Sequence, residues 1–227
     1  MPGLAKNILI TAGGTKEDID PVRGITNYAT GRLGCLIAER FLDNNTTVTY
    51  EHGENTVRHN VTYIHGENAM RPNNCPNLHL ISIRNTHQLQ KELEDAMHAR
   101  PYAAVIHSMA VSDYAPYEPA TEKISSESPY LVVVLKKLPK IIKRVKEIQP
   151  DTILVGFKLL SDANDDKLIK AANKQIAESG SDYVLANAQE NIQGDQHRAL
   201  LIDRSGVVGR FDTKNEIAEA IWQTVQG

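Results

Sequence analysis

Three short, mostly apolar runs constrain the fold of this chain more than any other feature. They are NILITA at Asn7–Ala12, AAVIHSM at Ala103–Met109 and ILVGF at Ile153–Phe157. Continuous apolar runs of about four to eight residues are typical of strands that are buried on both faces. Segments with helical periodicity separate them, and strands that alternate with helices favour a parallel sheet. The pattern therefore predicts an α/β fold.

The rest of the sequence supplies the other elements of this fold. Further strands are predicted at Thr47–Tyr50, Val61–Ile64, Leu78–Ile83, Leu131–Leu135 and Tyr183–Asn187, with a hairpin at Ala199–Asp203 and Val207–Phe211. Helices are predicted from Gly31 with Thr30 as N-cap, around Leu89–Met97, from Pro139, over Asp165–Ser179, and after Asp212 or Thr213. We expect a single Rossmann-like domain over residues 1–227. Its mostly parallel sheet is covered by helices on both faces and carries a β-hairpin extension near the C-terminus.

Net charge, hydropathy and cysteine content indicate which classes of protein this chain does not resemble. A formal net charge of −3 does not indicate a nucleic-acid binder. The apolar run near the N-terminus is too short for a signal peptide or a membrane span. Cys35 and Cys75 form no CxxC pair, which favours two reduced thiols. We therefore expect a cytoplasmic protein that binds neither nucleic acid nor membrane.

The segment after the first strand is unusually long for a connection to a helix. Residues 13–30 show no helical period, whereas such connections usually take about two to six residues. Ligands of open parallel sheets bind beyond the carboxyl ends of the strands. That rule places four segments at one site: Ala12–Asn27, Ala110–Lys123, Lys158–Asp162 and Ala186–Gln189.

The residues of these segments are of types that bind anions. Gly13–Thr15 can bring backbone N–H groups to a phosphate, although neither a GxGxxG fingerprint opening into a helix nor a Walker loop is present. Arg23 and Asn27 can grip a carboxylate or a phosphate. Asp113 can hold a divalent cation or a nucleotide group, and Lys123 can close over negative charge.

Ordinary structural roles remain open for the same residues. Gly-Gly forms tight turns, an aspartate in a loop often forms a turn, and a lysine in a loop is often simply exposed. His107 lies in an apolar strand and is interpreted as a core histidine. The eight histidines are scattered without metal-ligand spacing, so no protein-ligated metal is implied.

These motifs resemble those of the phosphopantothenoylcysteine synthetase (phosphopantothenate–cysteine ligase) family. The stretch TAGGTKEDIDPVRGITNYATGRLG, from Thr11 to Gly34, resembles the family signature. The likeness continues in order through MAVSDYAP, EKISS, KKLPKII, VGFKLL and LANAQ, and so covers nearly the whole chain. We expect the standalone form, because no additional domain precedes Asn7.

The resemblance implies a reaction in two halves that serves coenzyme A biosynthesis. The carboxylate of 4′-phosphopantothenate attacks the α-phosphate of a nucleoside triphosphate, which gives an acyl-nucleotidylate and pyrophosphate. The amine of cysteine then displaces the nucleoside monophosphate and forms 4′-phospho-N-pantothenoylcysteine. Bacterial members use CTP and the animal type prefers ATP, so CTP with Mg²⁺ is expected. The family also implies a homodimer.

Residue roles carry over by position. Asn27 matches the asparagine that holds the acyl-nucleotidylate, and Arg23 matches the arginine four residues before it. Lys123 matches the first lysine of a Lys-x-Lys-Lys motif that the activation half-reaction needs. These three residues are expected to be catalytic. Here Ser125 and Ser126 replace the other two lysines, so Lys123 is expected to act with Mg²⁺, Lys137 or Lys158.

The remaining matches concern ligand binding. Residues expected to bind the nucleotide are Gly13, Gly14, Thr15, Ala110, Asp113, Phe157 and Lys158, with Phe157 and Lys158 bordering the base. Residues expected to bind the other substrate are Arg23, Asn27 and Asn187. Asp113 is the only candidate metal ligand, and Mg²⁺ is expected to be held mainly through the nucleotide phosphates.

Two other functions remain open. A Rossmann-like fold alone would suit an oxidoreductase that binds NAD(P) or flavin, although the missing fingerprint opposes it. The pair Ser125-Ser126 would suit a non-catalytic nucleotide-binding protein with a decayed site.

Overall fold

The computed structural model describes residues 5–43, 46–50, 53–57 and 59–226, the second and third ranges by their backbone alone. The strands are β1 (Asn7–Ala12), β2 (Lys16–Asp20), β3 (Arg23–Thr26), β4 (Thr46–Tyr50), β5 (Gly53–Val57), β6 (Asn60–Gly66), β7 (Leu78–Ile83), β8 (Ala104–His107), β9 (Tyr114–Pro116), β10 (Leu135–Lys137), β11 (Ile153–Leu160), β12 (Tyr183–Gln193), β13 (Gln196–Asp203) and β14 (Gly206–Thr213). The helices are α1 (Arg32–Asp43), α2 (Thr86–Ala99), α3 (Ile142–Ile148), α4 (Asp165–Ser179) and α5 (Lys214–Gln226).

The central sheet has the strand order β14-β13-β12-β11-β8-β1-β6-β7. All neighbours from β12 to β7 pair in parallel, and β13 and β14 are added antiparallel at one edge. The order reverses between β1 and β8, because β6 and β7 follow on one side and β11 and β12 on the other. Such a reversal leaves a crevice beyond the strand ends where α/β proteins bind ligands.

Apolar residues of the central strands alternate between two helical layers. Ile8 and Ile10 of β1 pack with α1 and α5, whereas Leu9 between them packs with α2 and α3. A third cluster packs α4 against β12 and β13. The predicted Rossmann-like α/β fold, with helices on both faces and an antiparallel hairpin extension near the C-terminus, is therefore confirmed.

The C-terminal helix begins with a capping box. The backbone N–H of Glu216 donates to Thr213 Oγ1 at 3.2 Å, and Glu216 Oε2 accepts from the backbone N–H of Thr213 at 3.1 Å. This reciprocal pair satisfies two N–H groups at the start of the helix. It identifies Thr213, rather than Asp212, as the N-cap of α5.

Two predicted helix starts and one predicted strand were wrong, and some strand ends also differ, since β11 runs to Leu160 and β12 to Gln193. Helix α1 begins at Arg32, and Gly31 stands outside it with a φ of +74°. Helix α3 begins at Ile142 rather than near Pro139. The run Leu131–Leu135 is not a strand, since only Leu135 enters one, β10. Its β-branched residues suggest a buried strand, but the run lies at the surface.

The long segment after β1 is an ordered hairpin rather than a plain loop. Strands β2 and β3 pair antiparallel, with Lys16 opposite Thr26 and Glu17 opposite Ile25. The hairpin explains why this connection is much longer than the usual one.

Among the helices described, none is long and apolar enough to cross a lipid bilayer.

Candidate active site

The reversal point between β1 and β8 brings four of the predicted site residues together. Gly14 and Ala110 form a parallel bridge that continues the pairing of the two strands. The N–H of Ala110 donates to the Gly13 carbonyl oxygen at 2.8 Å. Asn27 Nδ2 donates to the Ala110 carbonyl oxygen at 3.2 Å. Residues that follow β1, β3 and β8 thus meet at one point beyond the strand ends.

Close approach of two backbones explains the glycines at this point. Gly13 has a φ of +82°, and a Cβ there would lie 2.5 Å from Ala69 Cβ. A Cβ on Gly66, at the end of β6, would lie 2.4 Å from the Gly14 carbonyl oxygen. Residues with side chains would push the loop away from the sheet.

The Thr15 hydroxyl holds the loop after β1 in place through hydrogen bonds and does not face the crevice. The residue is fully buried, and its Oγ1 accepts from the backbone N–H of Ser112 at 2.9 Å. Thr86 Oγ1 donates to the same oxygen at 3.3 Å. The backbone N–H of Thr15 donates to the Ala110 carbonyl oxygen at 3.3 Å.

An arginine outside the predicted site fixes the β2–β3 hairpin against the sheet. The Arg84 guanidinium donates to both Asp18 carboxylate oxygens, at 2.9 and 2.8 Å, and to Glu67 Oε2 at 2.8 Å. These bonds raise the pKa of Arg84 and lower that of Asp18. The carbonyl oxygen of Arg84 also accepts from the Lys16 backbone N–H at 2.7 Å. The hairpin is thereby held at the strand ends.

Arg23 lies at the start of β3 and reaches the loop that carries Lys123. We call this loop, residues 117–134, the flap. Arg23 Nη2 donates to the Ile124 carbonyl oxygen at 3.1 Å, and the Lys123 side chain is exposed. Two of the predicted catalytic cations therefore lie on segments in direct contact.

Asp113 follows β8 and forms an ion pair with Lys140. The backbone N–H of Leu138 donates to the Asp113 carbonyl oxygen at 2.8 Å, which docks the segment before α3 onto the site. Lys140 is not among the residues that the sequence places at the site. Its partner lies far away in sequence, and no local signal points to the pair.

Phe157, Lys158 and Asn187 come from the neighbouring strands β11 and β12. Lys158 lies opposite Ala186 in register, and Leu159 lies opposite Asn187. Phe157 packs against the core beneath α1 and α5, and Asn187 is buried. Pairing of β8 with β11 ends at Gly156. Phe157 and Lys158 therefore extend past β8 along the edge of the sheet that Ala110 also borders.

His107 is a core histidine, as its sequence context predicts. It is buried, and its Nδ1 is hydrogen-bonded to Thr11 Oγ1 at 2.9 Å. Burial lowers its pKa to about 4, so the ring is neutral at physiological pH. Because the ring is buried and already bonded to Thr11, it is not a candidate general base.

Carboxylates at the site do not form a metal cage. Within the residues described, no group of three or more His, Cys, Asp or Glu side chains is arranged to hold a metal ion. Asp113, the predicted metal ligand, already has Lys140 as its partner. The arrangement consists mainly of cations, an amide and backbone N–H groups, which suits binding of phosphate and carboxylate groups.

Comparison with known proteins assigns this chain to a family. Residues 4–227 match the family described as DNA/pantothenate metabolism flavoprotein C-terminal domain. The coenzyme A biosynthesis bifunctional protein CoaBC of Thermococcus kodakarensis is 35% identical over 97% of this chain and 51% of that protein. CoaBC of Haemophilus influenzae is 32% identical over 96% of this chain and 53% of that protein. The chain thus spans about half the length of these curated relatives.

Solved structures show the same fold. The DNA/pantothenate metabolism flavoprotein from Streptococcus pneumoniae has 37% sequence identity and a TM-score of 0.84, over 98% of this chain and 99% of that chain. The C-terminal domain of a CoaBC protein has 22% identity and a TM-score of 0.74, over 99% and 95%. At the lower identity the likeness concerns the fold alone.

Proposed function

This chain belongs to the DNA/pantothenate metabolism flavoprotein C-terminal domain family, and on that premise we propose that it is a ligase joining 4′-phosphopantothenate to L-cysteine. The motifs that resemble phosphopantothenoylcysteine synthetases support this activity. So does the naming of the 35% identical relative as a protein of coenzyme A biosynthesis.

The proposal depends most on the contacts at the reversal point of the sheet. Asn27 bonds to Ala110 there, and Arg23 contacts the flap that carries Lys123. A carboxylate and a triphosphate repel each other, so bringing them together requires positive charge and positioning rather than a strong base. We propose that Arg23, Lys123 and the amide of Asn27 border the crevice and supply those groups.

In the activation half-reaction, a carboxylate oxygen of 4′-phosphopantothenate forms a bond to the α-phosphorus. The bond from that phosphorus to the bridging oxygen breaks, and its electron pair leaves with pyrophosphate. Arg23 and Lys123 offset the negative charge on the phosphoryl oxygens. Asn27 donates to the acyl-nucleotidylate that results.

In the second half-reaction, the amine of cysteine attacks the acyl carbon. A C–N bond forms, the C–O bond to the nucleotide breaks, and the nucleoside monophosphate leaves with its electron pair. The amine loses a proton to solvent. Asn187 is buried in β12, and we assign to it binding of the pantothenate-derived part of the substrate.

We propose CTP as the nucleotide, because the bacterial members of the resembled family use it. Phe157 and Lys158 border its base, and the backbone of Gly13, Gly14 and Ala110 lies along its phosphates. Mg²⁺ would be held mainly by the phosphates, which suits a cation that needs only one or two protein carboxylates. Asp113 is the carboxylate that would contact the cation. Mg²⁺ would neutralise phosphate charge.

We further propose a cytoplasmic homodimer. Both cysteines are free thiols, in keeping with a reducing compartment. The flap and the adjoining strands β9 and β10 expose several large apolar side chains, and clustered apolar surface commonly marks a protein interface. These residues are Tyr114, Tyr117, Tyr130, Leu131, Val132, Val134 and Leu135.

The test is to follow pyrophosphate in the presence of CTP, Mg²⁺ and 4′-phosphopantothenate, with and without cysteine. We expect pyrophosphate release that requires 4′-phosphopantothenate, both with and without cysteine. The amide product should form only when cysteine is present. Tight CTP binding without turnover would instead favour a non-catalytic nucleotide-binding protein. Flavin or NADPH absorbance in the purified protein would favour an oxidoreductase. Parallel reactions with ATP decide the choice of base.

A further inference from the structure

One buried carboxylate connects the two segments that carry the proposed catalytic cations. Arg23 is on the β2–β3 hairpin and Lys123 is on the flap, far apart in sequence. Asp20, at the end of β2, lies between these segments with its side chain fully buried. Its carboxylate accepts hydrogen bonds from both the hairpin and the flap.

On the hairpin side, Asp20 sets the turn that presents Arg23. Its Oδ1 accepts from the backbone N–H of Val22 at 2.9 Å and of Arg23 at 2.8 Å. Its Oδ2 lies 3.4 Å from Arg23 Nη1. The carboxylate therefore fixes the backbone of Arg23 and also attracts its side chain.

On the flap side, Asp20 and Arg23 hold the residue that directly follows Lys123. Asp20 Oδ2 accepts from the Ile124 N–H at 3.2 Å, and Arg23 Nη2 donates to the Ile124 carbonyl oxygen at 3.1 Å. Before Lys123, the N–H of Ala120 donates to the Ile19 carbonyl oxygen at 2.8 Å. The flap is thus attached to the hairpin on both sides of Lys123.

Asp20 is ionised in this position. Burial opposes the charged form, but the backbone N–H groups of Val22, Ile124 and Arg23, together with the Arg23 charge, outweigh that cost and lower the pKa of Asp20. A charged acceptor with all these donors is more strongly bound than a neutral one.

We infer that Asp20 is a positioning residue that aligns the Arg23 hairpin with the Lys123 flap, so that both cations meet the same phosphate. This inference rests on the proposed ligase function. Asparagine at position 20 would have nearly the same shape, but its Nδ2 cannot accept from the Ile124 N–H. The substitution therefore weakens the connection to the flap while leaving Oδ1 to hold the turn.

The first measurement is amide hydrogen exchange of the substrate-free Asp20→Asn variant. We expect exchange of the Ile124 amide to rise by about tenfold or more, while amides of β1 and β8 keep their protection. The Glu118→Gln variant is the matched control, because it removes the same charge from an exposed flap residue. Its exchange should equal that of the native protein.

The second measurement separates catalysis from binding. In Asp20→Asn we expect the rate of acyl-nucleotidylate formation to fall on the order of 100-fold, as for other small misplacements of catalytic groups. The CTP dissociation constant should change by less than about threefold. Glu118→Gln should keep both values.

Two results would overturn the inference: native exchange at Ile124, or equally raised exchange in the flap and in β1 and β8. The second pattern would mean general destabilisation instead of a local connection. If the native protein released no pyrophosphate, the ligase proposal would fail. The exchange data would still decide whether Asp20 holds the flap.

Discussion

Asn27 is a single residue on which the proposed chemistry depends closely. Its Nδ2 donates to the Ala110 carbonyl oxygen at 3.2 Å. Asn27→Asp would set a carboxylate against that oxygen and against the phosphate proposed to bind there. We expect turnover, measured as pyrophosphate release at saturating substrates, to fall on the order of 100-fold, the usual cost of losing one such donor.

The control for this change is Asn85→Asp. Asn85 caps α2 by accepting from the Gln88 N–H at 2.9 Å, and aspartate serves equally well as an N-cap. Its turnover and melting temperature should match those of the native protein. Unchanged turnover in Asn27→Asp would remove Asn27 from the mechanism.

Lys123 can be replaced with little effect on the fold, since its side chain is exposed. We expect Lys123→Gln to slow acyl-nucleotidylate formation on the order of 100- to 1,000-fold, measured in single-turnover reactions, with an unchanged melting temperature. Lys143→Gln, an exposed lysine of α3, provides the control. A normal rate in Lys123→Gln would make the flap lysine a bystander.

Residue types at the site could be predicted from the sequence, but their partners could not. Gly14, Ala110 and Asn27 meet as the strand-end rule predicts. The pairing of Asp113 with Lys140, by contrast, joins two segments through side chains alone. Contacts across long sequence separations leave no local pattern. The burial of the Thr15 hydroxyl was hidden for the same reason.

At the scale of elements, the end of β6 determines how closely the loop after β1 approaches the sheet. A Cβ on Gly66 would lie 2.4 Å from the Gly14 carbonyl oxygen and 3.3 Å from its nitrogen. Because both atoms are backbone, Gly66→Ala must displace the loop. We expect a loss of about 1–3 kcal/mol in urea unfolding and a fall in turnover of about tenfold or more. Native turnover in a destabilised variant would contradict a catalytic role for this loop.

Elements enclosed by the core were the predictable ones. The bounds of β1 and α4 agree with prediction, because burial on both faces defines β1 and clear caps define α4. For α4 these caps are the Asn164 side chain and Gly180, which has a φ of +70°. Strands β2, β3, β9 and β10 are short and pair as two separate antiparallel ribbons, which contacts between the flanking loops extend, such as the Tyr117 N–H to Val134 carbonyl bond of 2.8 Å. Neither periodicity nor composition predicts such pairs.

At the scale of the whole molecule, the flap surface predicts self-association. Val132 is 84% exposed and Val134 is 67% exposed, which is unfavourable for isolated valines in water. Isologous contact between two copies would cover both. We expect the native protein to sediment as a dimer and the Val132→Glu/Val134→Glu variant as a monomer.

The control for the dimer is Val208→Glu. Val208 is also an exposed valine, 48% accessible, but it lies on β14 at the far edge of the sheet. This variant should remain dimeric. A monomeric native protein at micromolar concentration would contradict the proposed interface.

Two buried histidines link the stability of the whole molecule to pH. His107 and His197 both have pKa values lowered to about 4, mainly by burial, from an ordinary 6.5. Neither ring nitrogen of His197 has a hydrogen-bond partner among the residues described. Both rings are therefore neutral in the folded protein at pH values where the unfolded chain is protonated.

Because the unfolded state binds more protons between pH 6.5 and about 4, the free energy of unfolding must fall as pH decreases through that window. A tenfold difference in proton affinity between the folded and unfolded states is worth about 1.4 kcal/mol, so each histidine lowers the free energy of unfolding by about 3 kcal/mol at the acid end. Urea unfolding at a series of pH values measures this slope. His197→Gln removes one of the titrating groups, which also include the buried His59 with its lowered pKa, and should make the slope shallower between pH 6.5 and about 5, above the range in which most carboxylates titrate. A native stability that stays constant from pH 6.5 to 4.5 would show that these rings are protonated in the fold.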